Sequence, residues 1–268
     1  MNSVLKSINP FKLLVFLSLM YFCNLKAQEE NITPDFKEKQ ILVVYGGWDG
    51  HRPEEFGIKI SEWLEAHNAE VTVSKSTEIY TDKSLMSKFD LIIQHVTMDK
   101  LTGDESKGLL EAVKNGSGLA GCHGGLGDSF RNNTDYQYMV GGQFVTHPGG
   151  QIDYEVNIVD HNDKVTEGIS DFKLKTEQYY MHVDPNIKVL ATTRFSGEHD
   201  SWIENAIVPV VWKKYFGKGR VFYCSIGHSK NLFEIDEVWK LITRGAYWAA
   251  QGKSAPKEKW LQPVYSTF

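Results

Sequence analysis

The sequence predicts an α/β fold with three layers: a doubly wound, mostly parallel sheet between helices, with antiparallel additions in its C-terminal half. Residues 41–45 form a continuous apolar run ending in two glycines, which is typical of a strand buried on both faces. Further strands are predicted at 71–74, 90–94 and 117–122, with helical patterns between them. This order favours right-handed crossovers and a parallel sheet.

Two helices of the N-terminal half have clear sequence signals. The first begins at about Pro53 and places Phe56, Ile60 and Leu64 on one face. The second begins at Thr102, which forms a capping box with Glu105.

The C-terminal half has a different pattern. Residues 152–158 alternate between apolar and polar side chains, as in a strand with one face in water. Strands are also predicted at 189–193, 208–212 and 220–224, and the turn at 217–219 predicts a hairpin between the last two. A final helix has an apolar stripe running from Ile235 to Ala249.

Residues 1–27 have the pattern of a secretory signal peptide. Lys6 and Lys12 precede an apolar stretch, and Ala27 occupies the cleavage position before Gln28. This predicts an exported protein, periplasmic or extracellular, without a membrane span after cleavage. The alternatives are an uncleaved anchor, for which the stretch is short, and lipidation at Cys23, where the preceding Tyr21 and Phe22 are bulky.

Cleavage leaves about 240 residues, enough for one large domain. We expect an N-terminal extension at 28–39, the main domain at 40–252 and a tail at 253–268. The signal peptide carries three lysines and no acidic residue, so its removal takes the net charge from −5 to −8. An acidic chain without a basic cluster argues against binding to nucleic acids or anionic lipids.

The elbow Gly121-Cys122-His123-Gly124-Gly125 is the strongest local signal for a functional site. Small residues around a central residue allow a sharp turn from strand to helix that exposes the central side chain. Here that residue is His123. We expect Cys122 to point into the sheet and not to act as a nucleophile, and we expect Cys122 and Cys224 to be free and buried. The alternative for His123 is a structural role, bonded to a backbone carbonyl.

Histidines follow four predicted strands. His51, His95, His123 and His228 come after the first, third, fourth and last of them. Ligands of open α/β sheets bind beyond the carboxyl ends of the strands. We therefore expect a histidine-rich site at that edge, with His95 the weakest candidate.

The motifs of the chain are similar to those of the ThuA-like (trehalose-utilisation) family, over most of 40–251. The matching segments are the first glycine-rich loop 46–51, the elbow 121–124, the run 141–148, the segment 176–179, the strand 217–223 and Gly227-His228. The segment 176–179 departs from the family pattern at its first residue, where Thr176 replaces an aspartate.

The resemblance implies a flavodoxin-like, class I glutamine amidotransferase-like fold and a link to sugar metabolism, often beside oxidoreductases that make keto-sugars. Amidotransferase chemistry needs a cysteine at the elbow, and this elbow has His123. We therefore expect no glutamine amidotransferase activity.

Two chemical interpretations of the site remain. His51, His123, Glu177 and His228 are candidate ligands of a divalent transition-metal ion such as zinc. Alternatively, the same four residues are catalytic acids and bases without a metal.

The remaining candidates are substrate-binding residues. Trp48 offers an aromatic face and Asp49 a carboxylate for a sugar. Arg220 is a candidate for binding an anion, with pairing to a core carboxylate as the alternative. The full candidate set is Trp48, Asp49, Gly124, His147, Tyr179 and Arg220.

The predicted function is that of an exported enzyme acting on sugars or keto-sugars by isomerase, lyase or hydrolase chemistry. The alternatives are a non-catalytic sugar-binding protein and an interaction or scaffold protein.

Overall fold

The structure is a computed structural model that describes residues 34–260. The predicted signal peptide lies outside this range, as do Cys23 and the ends of the two predicted terminal segments. Within the described residues, no helix is both long enough and apolar enough to cross a membrane.

A nine-stranded sheet organises the domain, in the order β2-β1-β3-β4-β11-β10-β9-β6-β7. Its first five strands in this order are parallel to one another, and the remaining four alternate in direction. The strands are β1 Gln40–Gly47, β2 Glu70–Ser74, β3 Leu91–Thr97, β4 Gly118–Cys122, β6 Gln151–Ile158, β7 Phe172–Glu177, β9 Lys188–Arg194, β10 Ile207–Phe216 and β11 Gly219–Cys224. The predicted fold class is therefore confirmed.

A second, two-stranded sheet pairs β5, Gly142–Thr146, with β8, Tyr180–Val183. The sequence did not predict this sheet. Both strands are short, and β5 begins directly after the left-handed Gly141 that ends a helix.

Helices cover both faces of the large sheet. They are α1 Pro53–Ala66, α2 Lys83–Met86, α3 Gly103–Lys114, α4 Gly124–Gly127, α5 Thr134–Val140 and α6 Asp236–Ala249. Helices α1 and α6 contribute to one buried apolar cluster, and α3 and α5 contribute to the other. The predicted capping box of α3 is present, with Thr102 and Glu105 each accepting a backbone N–H of the other.

One detail of the N-terminal half differs from the prediction. Strand β3 runs to Thr97, so His95 lies inside the strand and does not follow it. His95 is fully buried and stacks on Phe56, with ring centroids 4.4 Å apart. Gly125 makes room for it, because a Cβ at Gly125 would lie 2.3 Å from His95 Nδ1.

The two described cysteines are free and buried, as predicted. Cys122 and Cys224 are register partners on the adjacent parallel strands β4 and β11. Burial raises the pKa of both thiols. A buried thiol with a raised pKa is a poor nucleophile at neutral pH.

Candidate functional site

The carboxyl ends of the parallel strands meet at one edge of the sheet, and most of the candidate residues lie there. The chain leaves β1 into a short 3₁₀ turn, Asp49–His51, which places His51 at this edge. His123 directly follows β4, and Ser225 directly follows β11. Glu177 is the last residue of β7.

His123 occupies the elbow between β4 and α4 in an unusual backbone conformation, with φ 52° and ψ −143°. A non-glycine residue at positive φ is strained, at a cost of about 1–3 kcal/mol. The surrounding backbone holds it there: the His123 amide donates to Cys224 O at 2.7 Å, and Tyr223 Oη donates to His123 O at 3.1 Å. The strained conformation thereby sets the direction of the imidazole.

The imidazole of His123 has a defined tautomer. Its Nδ1 lies 2.9 Å from the carbonyl oxygen of Ser225, which can only accept, so Nδ1 carries the proton and donates. In the neutral ring, Nε2 therefore has a free lone pair. That lone pair accepts the Tyr179 hydroxyl at 2.8 Å and also faces Glu177 Oε2 at 3.1 Å.

The short contact between His123 Nε2 and Glu177 Oε2 is favourable only if a positive charge lies between the two atoms. A bare imidazole nitrogen and a carboxylate oxygen are both acceptors, so they attract only through a shared proton or a metal ion. Burial holds the pKa of His123 below its usual value, although Glu177 and Ser225 oppose the shift. Burial also works to raise the pKa of Glu177, but hydrogen bonds and charge from His123 and His228 outweigh it and hold that pKa low.

His51 and His228 complete a cluster of three imidazoles around Glu177. Their ring centroids lie 4.6 and 5.6 Å from that of His123. His228 Nδ1 is buried and lies 3.2 Å from Glu177 Oε1. His51 Nδ1 pairs with the Thr97 hydroxyl at 3.1 Å, which leaves Nε2 available to a ligand.

Four potential ligand atoms, one from each of His51, His123, Glu177 and His228, lie within 4.8 Å of one another. Ligands of one Zn²⁺ sit about 2 Å from it and therefore about 3–4 Å from each other, so the widest spacing in this cluster has to shorten when an ion binds. Burial, together with His123 and the other nearby histidines, lowers the pKa of His51 to about 3. A ring that stays neutral at neutral pH is in the form that binds metals.

The cluster is closed on one side and open on the other. The side chain of His123 is completely buried, whereas the side chains of Glu177 and His228 are 12% and 18% exposed. His147 lies further out, 39% exposed, with Nε2 3.8 Å from Glu177 Oε1. Imidazole nitrogens and carboxylate oxygens are both found as ligands in catalytic zinc sites, and four such ligands would leave a substrate oxygen a fifth position on the accessible side.

Tyr179 and Phe144 form one wall of the site. Tyr179 is buried and stacks on His123, with centroids 4.1 Å apart and planes 26° apart. Phe144, on β5, lies 4.4 Å from Tyr179 between ring centroids. Burial, with Glu177 adding to it, raises the pKa of Tyr179 well above its usual value. Its hydroxyl is therefore a hydrogen-bond donor at all ordinary pH values.

The sequence of this chain also matches a family of known proteins. The family model for ThuA, described as trehalose utilisation, matches residues 40–249. The chain belongs to the ThuA family.

Several solved structures share the fold of this chain. A putative ThuA-like protein from Parabacteroides merdae ATCC 43184 superposes with a TM-score of 0.65 at 20% identity, covering 83% of this chain and 93% of that one. Another from Bacteroides uniformis ATCC 8492 gives 0.68 at 17% identity, covering 85% and 96%. A cytoplasmic protein from Salmonella typhimurium LT2 gives 0.53 at 14%, covering 81% and 100%. No curated protein sequence matched.

The other predicted residues of this ThuA chain divide into three groups. Trp48, 48% exposed, lies at the mouth with its ring 4.8 Å from His51, and Asp49 is exposed beside it. Gly124 is buried and has a packing role instead, because a Cβ there would lie 2.6 Å from His51 Cε1. His95 lies beneath the site, buried in β3.

The prediction that Arg220 binds substrate needs correction. Arg220 lies near the start of β11, at the opposite edge of the sheet, and is 3% exposed. Its guanidinium donates to the backbone oxygens of Trp248 and Pro256. It thus ties the segment after α6 to the sheet, and it pairs with backbone carbonyls and not with the carboxylate considered as its alternative partner.

Three residues near the site were missed in the sequence. Thr97 orients His51, and its only signal was its place in an apolar strand that proved longer than predicted. Asp128 and Arg131 pair just beyond α4, with Arg131 Nε and Nη2 donating to the two carboxylate oxygens at 2.6 and 2.7 Å. In the sequence, the only indication of this pair is that Asp128 and Arg131 are three residues apart.

Gly124→Ala should damage the cluster selectively. The added methyl group would overlap the His51 ring and push it away from the other potential ligand atoms. We expect affinity for Zn²⁺, measured by calorimetric titration of the metal-free protein, to fall at least about tenfold, since displaced site geometry costs about 10- to 100-fold.

Gly103→Ala is the matched control, because nothing lies within 4 Å of the position of its Cβ. It should leave zinc affinity unchanged. Equal zinc affinity in Gly124→Ala and the wild type would contradict the packing role assigned to Gly124.

Proposed function

We propose that this ThuA-family chain is an exported carbohydrate-active enzyme that uses one divalent transition-metal ion, such as zinc, to act on a sugar or keto-sugar. The observation that carries the proposal is the convergence of three imidazoles and Glu177 within 4.8 Å. His123 adds weight, because Nδ1 donates to Ser225 O and the lone pair of Nε2 is turned toward Glu177.

The bound metal would act as a Lewis acid that polarises a carbonyl or hydroxyl oxygen of the sugar. The chain's own residues supply the remaining functions. His51, His123, Glu177 and His228 hold the ion, and the accessible side of the cluster admits substrate. The buried Tyr179 hydroxyl, beside His123, can donate a hydrogen bond to a substrate oxygen.

His147 suits a role in proton transfer. It lies at the exposed side of the cluster, and its Nδ1 is buried without a hydrogen-bond partner among the described residues. An imidazole placed between solvent and a reacting group is a common general acid or base. Isomerisation, elimination and hydration next to a sugar carbonyl all require such a proton transfer.

The choice of a sugar substrate rests on the family and on the exposed Trp48. The matching family model is described as trehalose utilisation. Aromatic rings at a site mouth pack well against the apolar face of a sugar ring, and the Trp48 ring lies 4.8 Å from that of His51. The mature chain is acidic, which argues against polyanionic ligands.

Metal content and turnover test this proposal together. The purified protein, by elemental analysis, should hold about one equivalent of metal. Both His123→Ala and Glu177→Gln should lose the metal, together with turnover of glucosides oxidised at C3, followed by NMR. His161→Ala, which removes an exposed histidine elsewhere, should behave as the wild type.

Metal-free wild type that resists reconstitution, yet turns over sugar, would replace the metal interpretation with acid–base catalysis. Full metal occupancy and sugar binding without turnover would instead indicate a sugar-binding protein.

Export is tested at the N-terminus. When the full chain is expressed in a Gram-negative host, the protein outside the cytoplasm should begin at Gln28, as read by mass spectrometry. Leu14→Arg, which interrupts the apolar stretch, should leave the whole chain in the cytoplasm. An intact N-terminus on exported protein would support the uncleaved anchor.

A further inference from the structure

We propose that Arg131, locked in place by Asp128, is a substrate-binding residue that donates hydrogen bonds to a hydroxyl or carbonyl oxygen of an uncharged sugar. The inference deepens the proposed function, on which it rests, because it selects among sugars at the same site. The residue pair is separate from the metal-ligating cluster.

Asp128 fixes the guanidinium. Its side chain is only 4% exposed and follows α4 directly, and its backbone oxygen accepts Met98 N–H at 2.9 Å. A buried carboxylate requires a partner, and Arg131 meets this need through two parallel hydrogen bonds from Nε and Nη2. Gln143 adds a longer bond to Asp128 Oδ1 at 3.4 Å.

The locked guanidinium lies on the wall of the site. It sits over the ring of Phe144, 5.7 Å from the centroid. Phe144 packs against Tyr179, which in turn stacks on His123. Arg131 therefore lies on the same wall as the proposed metal ligand His123, separated from it by the rings of Phe144 and Tyr179.

The guanidinium retains free donors. Two of its nitrogens, Nε and Nη2, donate to Asp128, whereas Nη1 has no hydrogen-bond partner among residues 34–260. The Arg131 side chain is 51% exposed. A half-exposed, rigid donor costs little ordering entropy when it binds. Most exposed arginines lack this rigidity.

The charge of the pair selects the substrate. Asp128 neutralises Arg131, and its carboxylate is only 4% exposed, so the pair presents N–H donors and no net charge to a ligand. Such a surface suits a neutral acceptor oxygen. The exposed Asp49, on the loop after β1, adds negative charge at this edge of the sheet, which disfavours sugar phosphates and uronates.

Binding of two sets of sugars to the zinc-loaded protein tests the proposal. The uncharged set contains trehalose, methyl glucoside and their C3-oxidised forms, and the charged set contains the matching 6-phosphates and uronates. We expect the wild type to bind members of the uncharged set more tightly. Arg131→Gln combined with Asp128→Asn, which leaves no buried charge unpaired, should weaken that binding at least about tenfold.

Two further variants, with zinc content and melting temperature measured for each variant, separate binding from folding. Arg131→Lys should recover only part of the affinity, because an ammonium group cannot reproduce the locked fork. Arg244→Gln is the matched control, since Arg244 lies on α6 and donates to Glu167 O. Zinc content and melting temperature of each variant should stay close to those of the wild type.

Unchanged sugar affinity in the double variant would overturn the role of Arg131 and leave the proposed function standing. Tighter binding of phosphorylated or acidic sugars by the wild type would overturn the selection of uncharged sugars. A zinc-loaded wild type that binds no member of either set would overturn this inference and the sugar assignment together.

Discussion

The site depends on the hydrogen bond from His123 Nδ1 to the carbonyl oxygen of Ser225. This bond joins two neighbouring strand ends, those of β4 and β11, at the carboxyl edge of the sheet. It fixes the tautomer of a buried ring whose backbone is already strained, and it turns the Nε2 lone pair toward Glu177. The other proposed metal ligands, His51, Glu177 and His228, lie on the side of His123 toward which this lone pair points.

Glycines on both sides of the elbow make this arrangement possible. A Cβ at Gly124 would overlap His51, and a Cβ at Gly227, where φ is 151°, would lie 3.1 Å from His123 Cβ. Two rings can thus approach the elbow closely, one from the loop after β1 and one from the loop after β11. Side chains whose positions are held by backbone geometry lose little conformational entropy when they bind an ion.

The sequence predicts this architecture well where its signals are local. Continuous apolar runs identify the parallel strands, and the glycines around His123 identify the elbow. Tertiary pairings leave no such signal. Residue spacing in the sequence does not specify that Asp128 holds Arg131 in place. It also does not specify the distant carbonyl partners of Arg220. The third strand was predicted to end before His95, because polar residues interrupt its apolar run. In the structure the strand continues to Thr97 and includes His95.

The proposed metal ion lies between His51, His123, Glu177 and His228. Anomalous diffraction at the zinc absorption edge, from crystals of the full mature protein grown with zinc, tests it most directly. We expect one strong peak about 2 Å from His123 Nε2, with Tyr179 Oη displaced from that nitrogen. A well-ordered site without a peak, in which His123 still accepts the Tyr179 hydroxyl, would contradict it.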